Sequence, residues 1–316
     1  MSGPALLIDA ADRSILYAED LDTQWHPASL TKMMTAYVTF VAIQDGTLTL
    51  DTMIGCSKLA NSQGPTKVGL PIGATISVEQ ALQALIMKSA NDVAVMLAEA
   101  VSGSHEAFVD YMNGTAGRLG MTRTKFANAN GLPDPDQITT ARDMAKLAAA
   151  VVRDFPQYAP MWSMLEMRLG KRQLHSHNGL LTNYAGADGM KTGFICDSGF
   201  NVVASATRQG HKLIAVVLGE ATGQERSVRA ANLLQHGFQT YQWKSLFGAQ
   251  TIDTLGIDAN AKTSVTKPGR VISHVCGTGG RVARVKKGRV ASAEGAKSRS
   301  AKSKGTASRG TGASSQ

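Results

Sequence analysis

Apolar, β-branched runs stand at both ends of the patterned part of this 316-residue chain, with helical patterns filling the space between them. Near the start, PALLIDAADRSILYAED sets two apolar runs, Ala5 to Ile8 and Ile15 to Tyr17, on either side of a polar turn at Asp12 and Arg13. That is the pattern of a β-hairpin. Far downstream, GFNVVASATRQGHKLIAVVLGE repeats it, with Gly210 in the turn between Arg208 and His211. Strands at the two ends can share one sheet only by pairing across the helices between them. The order therefore predicts an α/β fold with an antiparallel sheet flanked by helices and a mostly helical subdomain; it does not suit a regularly alternating parallel sheet.

The intervening helices are punctuated by their own start and stop signals. Ser29, preceding the apolar-rich run MMTAYVTFVAI, is placed to N-cap a helix that ends before Asp45-Gly46. Residues 47 to 76 read as short strands and loops, and Ser77-Val78-Glu79-Gln80 has the spacing of a capping box opening a helix through Lys88. NDVAVMLAEAVSG and HEAFVDYMNGTAGRLG keep the helical period up to Gly103 and Gly120. ARDMAKLAAAVVRDF is closed by Pro156, and ERSVRAANLLQHGFQTY is the last helix. Beyond about Ser245 the period decays, which divides the chain into a domain over 1–245, a short irregular extension over 246–280 with at most a few short strands, and a tail over 281–316.

The net charge of +9 is concentrated in that tail. Residues 261–316 hold 13 Lys and Arg against one Glu, whereas residues 1–260 hold 20 against 23. Composition predicts a disordered, solvated tail that could meet an anionic polymer or surface. A nucleic-acid partner is the weaker reading. The longest apolar stretches, such as AYVTFVAI, fall short of a membrane span, and MSGPALLIDA lacks the features of a secretory signal. Three scattered cysteines, Cys56, Cys196 and Cys276, are too few for a disulfide framework, and an odd number leaves at least one thiol free.

Three short motifs carry chemistry. Ser29-Leu30-Thr31-Lys32 puts a hydroxyl and an amine three residues apart, on one helical face. Ser89-Ala90-Asn91 lies at a junction of two helices, and Lys191-Thr192-Gly193 leads toward the second hairpin. Each has a decoy or a bland reading, Ser264/Lys267 for the first and Ser176-His177-Asn178 for the second. The ordered set SxxK, SxN, KTG is the serine-nucleophile signature of β-lactamases and penicillin-binding proteins.

With HPASLTKMMTAYV, LIMKSANDVAVMLAE, FANANGLPD, YAGADGMKTGF and NVVASATRQGHKLIAVVLG, the chain resembles the D-alanyl-D-alanine carboxypeptidase family over roughly residues 3 to 242. The resemblance implies a β-lactamase/DD-peptidase-like fold, Ser29 as nucleophile and Lys32 as its base. A serine hydroxyl needs such a base, and a lysine serves when its amine is neutral. It further implies Ser89 as proton relay, Asn91 holding the lysine and the substrate backbone, and an oxyanion site from the backbone N–H groups of Ser29 and Phe194. Lys191, Thr192 and Gly193, with Arg226 opposite, would receive a terminal carboxylate; the bland reading of Arg226 is an exposed helix-start arginine.

The same resemblance implies a metal-free, cofactor-free enzyme acting on peptidoglycan stem peptides and acylated by β-lactams. The envelope location of that substrate implies that the sequence begins downstream of an exported start. A class A-like β-lactamase is the enzymatic rival, but Glu166-Met-Arg-Leu-Gly170 lacks the asparagine its water-activating loop needs. A noncatalytic penicillin-binding or envelope-binding protein is the other. His175 and His177 lack a third ligand for a metal. Nothing near Cys196 in sequence would lower its pKa, and Met33, Met34 and Met87 are explained by core packing.

Overall fold

The computed structural model describes residues 3–247, 250–263 and 276. Ser264, Lys267, VISHV and the tail over 281–316 lie outside the described residues. Five strands form one antiparallel sheet: β1 (Ala5–Asp9), β2 (Ile15–Glu19), β7 (Ala187–Ile195), β8 (Gly199–Arg208) and β9 (His211–Glu220), in the order β2-β1-β9-β8-β7. Leu6 faces Val216 across the β1–β9 pair, so the two ends meet as the sequence predicts. Two small hairpins, β3 (Met53–Gly55) with β4 (Thr75–Ser77) and β5 (Glu166–Leu169) with β6 (Arg172–His175), stand apart from it.

Both faces of the sheet are covered, and the period of two decides which residue goes where. Leu6, Ile8, Val203, Ile214, Val216 and Leu218 face the helical layer. Ala5, Leu7, Val202, Ala204, Leu213 and Val217 face the opposite way, against Ala230, Leu233 and Leu234 of α9 (Gly223–Phe247). Burial on both sides is why LIAVVL reads as a continuous apolar run and not an alternating one.

The helical layer comprises α1 (Lys32–Gln44), α2 (Lys58–Asn61), α3 (Val78–Gln83), α4 (Asn91–Ser102), α5 (His105–Arg118), α6 (Ala141–Asp154) and α7 (Ala159–Trp162), whereas Leu180 of α8 (Leu180–Asn183) packs on the α9 side. Helix α1 is buried from Lys32 through Phe40 and runs through the centre of the layer. The capping box at Ser77 and Gln80 forms with both hydrogen bonds. Two predicted boundaries move. Ser29 is not an N-cap: it lies in a 3₁₀ turn over Ala28–Thr31, and α1 begins at Lys32 without a side-chain cap. The helix opened at Ser77 also changes winding, passing into a π turn over Ala84–Lys88 that Ser89 ends in a left-handed conformation with φ of 62°.

After α9 the chain returns to the body. Ile15 N–H donates to Gln250 C=O and Ile252 N–H to Arg13 C=O. The buried Arg142 of α6 forms a two-pronged ion pair with Asp22, at 2.6 and 2.8 Å, and also donates to the carbonyls of Ile252, Leu255 and Gly256. One guanidinium thus ties the first third of the chain to the segment following α9. Replacing Arg142 with Met should cost about 3–5 kcal/mol, because Asp22 is left buried without its counter-charge. Urea unfolding of the two proteins measures this directly.

Candidate active site

The site lies where the 3₁₀ turn before α1 meets β7, the outermost strand of the sheet. In a 3₁₀ turn side chains three residues apart eclipse one another, and Ser29 and Lys32 have that spacing. Lys32 Nζ lies 3.0 Å from Ser29 Oγ. It also donates to Asn91 Oδ1 at 2.6 Å and to the Asn130 carbonyl at 2.5 Å. Lys32 has no exposed surface. Burial, and then the charge of Lys191, push its pKa well below the ordinary lysine value, with Asp92 opposing. A neutral amine has two protons and one lone pair. Asn91 and Asn130 accept the two protons, which leaves the lone pair for the Ser29 hydroxyl.

Two loops hold these acceptors in place. Asn91 opens α4; its backbone N–H donates to Thr66 C=O and its Nδ2 to Gly64 C=O at 3.0 Å. The Asp92 carboxylate accepts from the N–H groups of Val68 and Gly69. The Asn91 amide therefore orients Lys32 through oxygen while spending one Nδ2 proton on the 64–69 loop. On the other side, Asn128 Oδ1 accepts from Gly131 N–H, and Asn130 Nδ2 donates to Gln63 Oε1. Gly131 has φ of +80°, and a Cβ there would lie 1.9 Å from the Ala28 carbonyl oxygen and 3.0 Å from Ser29 N. Only glycine lets this loop reach Lys32 while touching the turn that carries Ser29.

Ser89 is buried, and its Oγ has no hydrogen-bond partner among the described residues. An unsatisfied buried hydroxyl in a left-handed residue is costly and points to a partner supplied from outside the chain. On β7, Lys191 pairs with Val203, Thr192 with Val202 and Gly193 with Asn201 of β8. Lys191 is buried and donates to Thr192 C=O at 2.9 Å; burial and then Arg226 lower its pKa to about 7. A Cβ on Gly193 would lie 3.0 Å from Ser29 N, so the strand packs directly against the Ser29 backbone. Phe194 follows, its ring 4.2 Å from that of Phe200. Arg226, in the first turn of α9, is buried, contrary to an exposed helix-start arginine; its Nε has no partner among the described residues, and burial lowers its pKa to about 10.

Ser29, Lys32 and Asn91 are thus in hydrogen-bonding contact, Gly193 abuts Ser29, and Lys191 and Arg226 are electrostatically coupled. The sequence reading missed Asn130, Gly131, Asp92 and the 64–69 loop. The Asn-Ala-Asn-Gly turn within FANANGLPD was the available signal for the first two. Cys196 is not a thiol: it is disulfide-bonded to Cys276, leaving Cys56 as the buried free cysteine. His175 ends β6 near Glu166, while His177 faces Lys88. Glu166 is exposed and accepts from Gln173, with no part in the Ser29 cluster.

A serine beside a buried lysine of depressed pKa, between a helical layer and an antiparallel edge strand, is the arrangement of a serine acyl-transfer enzyme of the penicillin-binding type. The comparisons narrow this to a family. The D-alanyl-D-alanine carboxypeptidase family profile matches residues 1–222. D-alanyl-D-alanine carboxypeptidase DacA of Haemophilus influenzae is 36% identical over 275 residues, which cover 85% of this chain and 70% of that protein. DacC of Escherichia coli is also 36% identical, over 75% of this chain, which spans 61% of its length. Among solved structures, penicillin-binding protein 5 from Haemophilus influenzae superposes with a TM-score of 0.73 at 37% identity, covering 75% of this chain and 71% of that one. Penicillin-binding protein D2 from Listeria monocytogenes in its cefotaxime-bound form gives 0.69 at 29% identity, covering 75% and 97%. The chain belongs to the D-alanyl-D-alanine carboxypeptidase family.

Replacing Gly131 with Ala should displace the Ser29 turn and lower the rate of covalent labelling by a fluorescent penicillin at least about 100-fold, the scale of a small misplacement of reacting groups. Single-turnover labelling measures it, with circular dichroism verifying the fold.

Proposed function

We propose that this chain is a serine D-Ala-D-Ala carboxypeptidase that removes the terminal D-alanine from peptidoglycan stem peptides through a Ser29 acyl-enzyme. The contact of Ser29 Oγ with the buried Lys32 amine carries this reading. Ser29 Oγ attacks the carbonyl carbon of the penultimate residue as its proton passes to Lys32 Nζ. The N–H groups of Ser29 and Phe194 receive the oxygen that becomes negative; the packing of Gly193 on Ser29 N supports their placement on one side. The C–N bond breaks as the Ser89 hydroxyl delivers its proton to the leaving amine and recovers one from the Lys32 ammonium, so that Lys32 is neutral again when D-alanine departs. Water then cleaves the Ser29 ester, with Lys32 again as base. Lys191, Thr192 and Arg226 hold the terminal carboxylate. β-Lactams, in this reading, acylate Ser29 and stay bound.

Such a substrate lies outside the cytoplasmic membrane, and the Cys196–Cys276 disulfide supports an oxidising compartment. No helix among the described residues is long and apolar enough to cross a membrane. The basic segment over 281–316 supplies a charge for anionic envelope polymer. Its removal should reduce cosedimentation with isolated wall or anionic vesicles; unchanged binding would dismiss that role.

Incubation with a D-Ala-D-Ala-terminated peptide should release D-alanine from the wild type and none from Ser29→Ala, and penicillin should label the wild type one-to-one with slow release. Rapid penicillin turnover would instead identify a β-lactamase, and labelling without peptide hydrolysis a binder. The pH dependence of kcat/KM should be bell-shaped. Activity rises as Lys32 loses its proton and falls as pH passes the Lys191 value of about 7, because the neutral lysine no longer attracts the carboxylate. Lys191→Arg should move the falling limb to higher pH, since a guanidinium keeps its charge.

A further inference from the structure

On the leaving-group side of the cleft, positive groups outnumber those that one terminal carboxylate can satisfy. Lys88 is the last residue of the π turn and immediately precedes Ser89. Its Nζ lies 3.4 Å from Nε2 of His177. His177 projects from the segment between β6 and α8, where the buried Asn178 anchors the backbone: Asn178 N–H donates to Ser176 Oγ, and Asn178 Oδ1 accepts from Leu180 N–H. Local burial, then Lys88, Lys191 and Arg226, lower the His177 pKa to about 4. The ring is therefore neutral at pH 7, and its Nε2 can accept a hydrogen bond from the Lys88 ammonium. His177 thus supports Lys88 and lies within reach of the charges of the other two cations.

Among the described residues, no carboxylate lies within ion-pair distance of Lys88, Lys191 or Arg226. Lys191 donates to the Thr192 carbonyl, and Arg226 Nη1 reaches Asn201 C=O only at 3.5 Å. Burying cations without counter-charges is unfavourable, so the two buried ones call for an anion from the ligand. A single terminal carboxylate answers Lys191 and Arg226. Lys88 remains, half-buried next to Ser89 in the chain and held against His177.

We propose that Lys88 and His177 form a further subsite beside Ser89 that favours a released residue bearing a second carboxylate on its side chain. The inference rests on the reading of Ser89, Lys191 and Arg226 as the groups that surround the leaving residue. Lys88 adjoins the first in sequence and contacts His177, on which the charges of the other two act, so the pair lies close to that residue's side chain. Hydrolysis is unchanged: the same C–N bond breaks, and an acidic D-amino acid departs in place of D-alanine.

Three N-acylated peptides ending in D-Ala-D-Ala, D-Ala-D-Glu and D-Ala-D-Gln test this, because D-Glu and D-Gln have nearly the same shape and differ in charge. The wild type should show a kcat/KM about three- to five-fold higher for D-Glu than for D-Gln, the size of one partly exposed ion pair. That ratio should shrink toward one as salt rises, a measurement that needs no variant. Lys88→Met should abolish the ratio and Lys88→Arg should keep it, each variant first verified as folded by penicillin labelling. A wild-type ratio of one or below, a ratio insensitive to salt, or a ratio that persists in Lys88→Met overturns the proposal. So does cleavage of D-Ala-D-Ala alone. If no peptide is cleaved, D-Ala-D-Ala included, the carboxypeptidase reading falls and the subsite with it.

Discussion

The rest of the site depends on one desolvated amine. A lysine placed in the protein interior cannot keep its proton at the usual cost, so burial of Lys32 beside Lys191 converts a cation into a base. Two oxygen acceptors, Asn91 Oδ1 and the Asn130 carbonyl, then fix which way the lone pair faces. Neither acceptor carries a full negative charge. A carboxylate in either position would hold the ammonium form and remove the base, whereas amide oxygens orient the nitrogen at a smaller penalty to its neutral state. Asp92, the nearby acid, is turned toward the backbone N–H groups of Val68 and Gly69 and spends its charge there.

Everything around Lys32 serves to keep it dry and in register. Helix α1 is buried over most of its length, so the amine at its first residue opens on the cleft and not on bulk solvent. The sheet contributes through its edge. Strand β7 pairs with β8 on one side only, and at Gly193 it packs against the Ser29 turn. An unpaired strand edge beside the proposed nucleophile offers backbone groups to an extended peptide, the usual way a sheet accepts a guest strand. In the proposed reaction the cations at Lys191 and Arg226 would give that peptide a direction by placing its negative end.

Much of this was legible in the sequence because it is local or periodic. The β-branched runs gave the hairpins, Ser77 and Gln80 the capping box, and Gly103 a helix stop, each from short-range chemistry. The three motifs named Ser29, Lys32, Ser89, Asn91 and Lys191 because their spacing within each motif is itself structural. What escaped is held by tertiary contact or by backbone. Asn130 acts through its carbonyl, which every residue possesses, so its side chain gives no warning. The 3₁₀ turn at Ser29 and the π turn before Ser89 depart from the α pattern that periodicity reads. The strain of a left-handed Ser89 appears only once the elements are packed. His177 was passed over as part of a metal pair and of a decoy triplet; its neighbour Lys88 lies 89 positions away in the chain.

The segment after α9 is part of the same mechanical unit as the cleft. Composition marks it as irregular, yet it is fixed at two places that matter: Arg142 binds the carbonyls of residues 252, 255 and 256, and Cys276 is covalently joined to Cys196. Cys196 directly follows β7, two residues past Phe194, in the turn that leads to β8. The disulfide spans a sequence separation of 80 residues, a loop long enough for the chain-entropy account to assign it about 4.5 kcal/mol through the unfolded state. Its position gives it a second consequence. The N–H proposed to receive the oxyanion lies near the end of an outermost strand, where a hairpin turn would ordinarily fray. Cross-linking that turn to Cys276 restrains the donor, and preorganised donors stabilise a developing charge without first having to move.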